Sequence, residues 1–184
     1  MKIVEVTTET QECIITDLAI QHKKNLPNDF ANKFTTEELK LFYDLGIGGR
    51  SWRILVGLNE ESRVLGGVGI SMSGLPRVAA IKVAWKTKRS LIRNLSFFLT
   101  RIIDSYLLYR KETADAKILF IFVSEEYRRL GIGRELITMA SSKSLIDLFV
   151  DTRVNNTAAL EMYEASNFVE VRRNRGHILL VRRA

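Results

Sequence analysis

The stretch ILFIFVSEEYRRLGIGREL, Ile118 to Leu136, decides how this chain is read. An apolar strand, Ile118 to Val123, runs into Arg128-x-x-Gly131-x-Gly133 and then directly into an apolar-periodic helix. A strand feeding a glycine-bearing turn at a helix start is suited to hold phosphate. The glycines let the backbone approach a ligand closely, and the first-turn N–H groups have no partner inside the helix. Arg128, beside the turn, adds charge of the right sign.

Downstream, an apolar strand is expected over Ser144–Val150, then a polar turn, a helix from about Asn156 to Ser166, and a closing strand pair around Asn174-Arg175-Gly176. Upstream, Lys2–Val6 alternates like a short strand. Thr8 with Gln11 resembles a capping box opening a helix through Ile14, Leu18 and His22, which Pro27 interrupts. Thr35 with Glu38 repeats that signature before a helix that Gly46 is expected to end. Ser51–Leu58 and Arg63–Met72 read as a hairpin, and Ser90–Tyr109 carries a helical apolar stripe.

A chain of 184 residues, 46% hydrophobic and 27% charged, has the make-up of a water-soluble globular domain. The single cysteine, Cys13, excludes a disulfide framework and a cysteine-built zinc site within one chain; on an apolar helix face it reads as a small buried hydrophobe. The first twenty residues lack the pattern of a signal sequence, and no apolar run is long enough to span a membrane, so the expected location is cytoplasmic. The net charge of +7 is concentrated: Arg77 to Lys111 holds nine basic residues and one acid, Asp104. A uniformly basic nucleic-acid binder would look different. Three readings of this segment stand: a lid holding an anionic acceptor, a helix lying on anionic membrane, or a packed helix with solvated charges.

A second block bears on the glycine turn. Arg153-Val154-Asn155-Asn156-Thr157-Ala158-Ala159-Leu160-Glu161-Met162-Tyr163, then Asn167-Phe168, follows it at a fixed distance. Together the two blocks resemble the GCN5-related N-acetyltransferase (GNAT) superfamily. The first resembles its acetyl-CoA pyrophosphate loop, the second its Asn-x-x-Ala-x-x-x-Tyr block. The resemblance implies an α+β fold, an αβα sandwich around a mixed, mostly antiparallel sheet with a splayed parallel strand pair. It implies one domain over 1–184 with an extra helical insert at about 76–112, between the third and fourth strands.

It also implies a function: acetyl-CoA-dependent transfer of acetyl to a primary amine of a small acceptor in a direct ternary complex. An amino sugar or nucleotide-linked amino sugar is one such acceptor. A non-catalytic acyl-CoA-binding module and a protein N-acetyltransferase are the alternatives. The partners expected are acetyl-CoA and the amine, with no nucleic acid, no metal, and a homodimer compatible with the pattern. Phe122, Val123, Arg128, Arg129, Leu130, Gly131, Ile132, Gly133, Arg134 and Asn156 would hold the cosubstrate, and Tyr163 would donate to the departing thiolate. Asn156 reads equally as a helix N-cap, and Asn167 replaces a glycine at a left-handed cap position. The strand before the loop lacks the carboxylate that many members use as base. That points to His22 as base, in a setting similar to a GNAT subgroup with a long basic insert seen near cell-surface sugar metabolism. A helix-terminal histidine is the plain alternative. Glu125 and Glu126 read as solvated turn residues, and His177 as a residue of the last strand.

Overall fold

A computed structural model describes residues 1–27, 30–48, 52–72, 116–142, 147–174 and 176–184. The Ser90–Tyr109 helix and the basic insert lie outside the described residues. Among the described residues seven strands form one sheet: β1 (Lys2–Val6), β2 (Trp52–Leu58), β3 (Val64–Ser71), β4 (Ala116–Val123), β5 (Leu148–Arg153), β6 (Val169–Asn174) and β7 (His177–Arg182). Their order is β1-β2-β3-β4-β5-β7-β6, antiparallel except for the β4–β5 pair. Helices α1 (Glu12–Asn25) and α2 (Thr36–Gly48) cover one face, and α3 (Ile132–Ser142) and α4 (Thr157–Glu164) cover the other.

Strand alternation divides the core. Ile54 and Val56 of β2 face α1 and α2, joining Leu18, Leu39, Phe120 and Phe122. Leu55 between them faces α3, joining Val68, Leu136, Ile137 and Val150. A bulge interrupts β4: Gly69 of β3 opposes Phe120 and Ile70 opposes Ile118, so Leu119 is the extra residue.

Helix starts and ends show where local chemistry won. At α2 the capping box forms in both directions: Thr35 N–H donates to Glu38 Oε2 at 2.8 Å, and Glu38 N–H donates to Thr35 Oγ1 at 3.2 Å. At α1 it does not. Gln11 is the N-cap and its side chain makes no cap bond, because the threonines close their own turn, Thr10 Oγ1 accepting from Thr7 N–H at 2.8 Å. Gly46 lies inside α2 and does not end it; the Trp52 ring occupies the space a Cβ would need. Strand β5 begins at Leu148 and continues through Asp151 to Arg153, beyond the expected end at Val150. Cys13 is exposed, since the buried face of α1 is Ile14, Ile15, Leu18, Ala19 and His22.

Candidate active site

Strands β4 and β5 pair only at Ala116↔Leu148 and Lys117↔Phe149. Beyond that rung the strands part, leaving a gap lined by the later residues of both. From Lys117 to Val123 the open wall runs about 20 Å at the usual strand rise. Ser124 N–H bonds Leu65 O at 2.8 Å, so alternation turns the backbone of Phe122 toward β3 and that of Ile121 and Val123 toward the gap. The Phe122 side chain is buried in the α1–α2 core. Of the two strand residues expected to meet the cosubstrate, Val123 has its backbone toward the gap.

The glycine turn stands at the open end of this wall. Arg129 and Gly131 have positive φ, 64° and 82°. Gly131 meets no neighbour where a Cβ would sit, so its requirement is conformational. Gly133 is a glycine for closeness: a Cβ there would lie 2.6 Å from Met162 Sδ of α4. Glu135 N–H to Gly131 O is the first rung of α3. The N–H groups of Ile132, Gly133 and Arg134 therefore have no helical acceptor and carry the positive end of the helix dipole. Arg129 and Leu130 are exposed on the turn, as are Glu125 and Glu126 before it.

Two arginines fix the turn. Arg128 donates through Nε to Val123 O at 3.3 Å and through a terminal nitrogen to Asn25 Oδ1 at 3.2 Å, tying the turn to α1. Arg134 donates to Ala165 O at 3.2 and 2.8 Å, closing the C-terminus of α4. The donor set suits a pyrophosphate: unpaired N–H groups in a turn without obstructing side chains, flanked by guanidinium groups.

The opposite wall comes from β5 and α4. Asn156 is the N-cap residue of α4, yet its side chain makes no cap bond. It donates instead to Thr152 Oγ1 of β5 at 3.2 Å. Tyr163 is buried, its ring 5.4 Å from that of Phe168. Burial, with a smaller contribution from the charge of Asp151, pushes its hydroxyl well above the usual phenol range. Burial thus favours the neutral phenol, a group able to donate a hydrogen bond. Asn167 adopts φ 62° after α4, as its side chain permits.

His22 is not at a solvated helix end. It is fully buried, its Nδ1 2.7 Å from the Tyr43 hydroxyl and its ring centroid 4.2 Å from that of Phe120. Leu18 and His22 share the buried face of α1 one turn apart, which carries the imidazole into the aromatic core.

A charged cluster that the sequence reading passed over lies at the closed end of the gap. Lys117 Nζ is 2.8 Å from Asp151 Oδ1, and His177 Nδ1 is 3.7 Å from Asp151 Oδ2. The available signal was an acid inside an apolar strand, Leu148-Phe149-Val150-Asp151. Among the described residues no three His, Cys, Asp or Glu side chains are grouped to hold a metal. No helix among them is long and apolar enough to cross a membrane.

Comparisons with known proteins agree with this geometry. Residues 21–168 match the family model described as Acetyltransferase (GNAT) family. No curated protein matches at a significant level. Among solved structures, NAA60 of Arabidopsis thaliana with a bisubstrate analogue is similar at TM-score 0.62 and 15% identity, covering 99% of this chain and 98% of that one. A spermidine N-acetyltransferase variant from Vibrio cholerae is similar at 0.60 and 16%, covering 98% and 94%. The PaiA N-acetyltransferase of Thermoplasma acidophilum with coenzyme A is similar at 0.61 and 12%, covering 100% of each chain. The family match spans most of the chain and takes in the strand β4, the glycine turn and the α4 block. The chain belongs to the GNAT acetyltransferase family, the N-acetyltransferases that draw their acetyl group from acetyl-CoA.

Proposed function

We propose that this protein transfers acetyl from acetyl-CoA to a primary amine on a small acceptor, directly, within a ternary complex. The observation that carries the reading is the β4–β5 gap, with the α3 turn at its open end and Tyr163 buried beside its other wall. Ile132, Gly133 and Arg134 would take the pyrophosphate on their N–H groups. The backbone of Val123 and Ile121 would pair with the pantetheine amides, and Asn156 would meet them from the N-cap of α4. Acetyl-CoA supplies an activated thioester carbonyl; the chain orients it and excludes water. Tyr163 would donate a hydrogen bond to the sulfur as it leaves.

Direct transfer is favoured because the only thiol, Cys13, is exposed at the start of α1, on none of the elements lining the gap. The amines named for structural neighbours, spermidine among them, join amino sugars as the acceptors to test first. The test is release of coenzyme A thiol from acetyl-CoA in the presence of spermidine, glucosamine or a lysine ester. At least one amine is expected to raise release well above hydrolysis. Tight acetyl-CoA binding with no amine-dependent release would favour a non-catalytic acyl-CoA module.

A further inference from the structure

The Lys117–Asp151–His177 cluster sits where β4 and β5 stop pairing, and the reading above gives it no work. Lys117 opposes Phe149, two residues before Asp151, and His177 opposes Arg153, two residues after it. All three side chains therefore lie on one face of the sheet, and the ion pair crosses diagonally from β4 to β5 at the last closed rung. The side chains of Lys117 and Asp151 are 11% and 9% exposed. Apolar residues would close such a rung with less desolvation, so charge held there points to chemistry.

Two further observations direct that chemistry. Asp151 bears on α4 as well, since its charge contributes to the raised Tyr163 hydroxyl. His177 Nδ1 is buried and makes no hydrogen bond among the described residues, leaving a polar atom beside a carboxylate with capacity to spare. The groups that bear on Asp151 include Lys117 from β4, His177 from β7 and Tyr163 from α4.

Resting on the acetyl-transfer reading, we propose that Asp151 receives the proton of the acceptor's ammonium group, and that His177 is the positioning residue behind it that shares this proton. The amine lone pair, once freed, forms the C–N bond at the acetyl carbonyl carbon. The C–S bond breaks and its electron pair stays on sulfur. The second N–H proton passes to that sulfur beside Tyr163, and the first leaves to solvent from the Asp151–His177 pair. Lys117 holds the carboxylate at the vertex throughout.

The test compares Asp151→Asn and His177→Gln with wild type. It measures kcat for coenzyme A release with the fastest of spermidine, glucosamine and lysine ethyl ester, after subtraction of hydrolysis. Acetyl-CoA affinity is measured alongside by calorimetry. Asp151→Asn is expected to lower kcat about 100-fold or more, the scale of a lost acid–base group, with affinity unchanged. His177→Gln is expected to lower it about tenfold and to flatten the acid limb of the kcat/KM profile. If Asp151→Asn strands Lys117 and fails to fold, the Lys117→Met/Asp151→Asn double variant, which buries no unpaired charge, carries the same expectation. A kcat close to wild type, or loss of acetyl-CoA affinity in step with rate, overturns the proposal and leaves a structural ion pair. A wild-type protein that binds acetyl-CoA and releases no coenzyme A to any acceptor defeats the acetyl-transfer reading itself.

Discussion

Tyr163 shows what one side chain's surroundings dictate. Its hydroxyl is raised chiefly by burial, so the neutral form is favoured in the folded protein. A group with a raised folded pKa contributes stability that is full below its unfolded value and is lost above it. Wild type should therefore lose stability more steeply than Tyr163→Phe above about pH 10, the ordinary tyrosine range; urea unfolding of both proteins from pH 8 to 11 measures the difference. Tyr163→Phe should also lower kcat by about tenfold or more while acetyl-CoA affinity stays unchanged, as expected for a donor used in the transition state. The role of Gly131 is conformational. Gly131→Ala should cost about 1 kcal/mol at φ 82° and weaken acetyl-CoA binding, both readable by denaturation and calorimetry. At this scale the sequence was legible where a residue type answers to one local need. Gly131, Asn167 and the Thr35–Glu38 pair are such cases. It was not legible for His22 or Asp151, whose meaning depends on which distant residues, Tyr43 and Phe120 or Lys117 and His177, the fold brings beside them.

Elements add what residues cannot decide alone. The capping box at α2 satisfies two N–H groups, and Thr35→Ala should cost about 1 kcal/mol in a thermal or urea melt. At α1 the matching Thr8–Gln11 signature is inert because Thr7 and Thr10 bond each other first. Two similar patterns thus gave different outcomes, decided at α1 by a neighbour two residues away. Helix α3 buries Ile132, Leu136, Ile137 and Ala140 against the sheet, and its position sets the aim of the first-turn N–H groups. Leu136→Ala should cost about 2–5 kcal/mol, and the loosened helix should bind acetyl-CoA more weakly than the stability loss alone explains. Gly46 was misread for an element-scale reason: a glycine near a helix end is ambiguous until Trp52 is seen packed on it.

Across the whole molecule, the proposed function depends on a sheet that fails to stay closed. Among the described residues five of the six strand pairings are antiparallel and run most of their length, while the one parallel pair is held by two rungs. The strand, turn and helix of Ile118–Leu136 and the Asn156–Tyr163 block were readable because each is contiguous. The gap between them was implied only by resemblance, since no local pattern encodes where two strands part. A ligand spanning that gap should stabilise the fold by about 2.7 kcal/mol at a concentration 100 times its dissociation constant. The most direct test is a titration of the isotope-labelled protein with acetyl-CoA, following backbone amide resonances. The amides of Ile132, Gly133, Arg134 and Val123 should shift together and saturate with one affinity, with Asn156 and Thr152 across the gap moving alongside. Saturable binding that leaves those amides unmoved would place acetyl-CoA elsewhere and contradict the site.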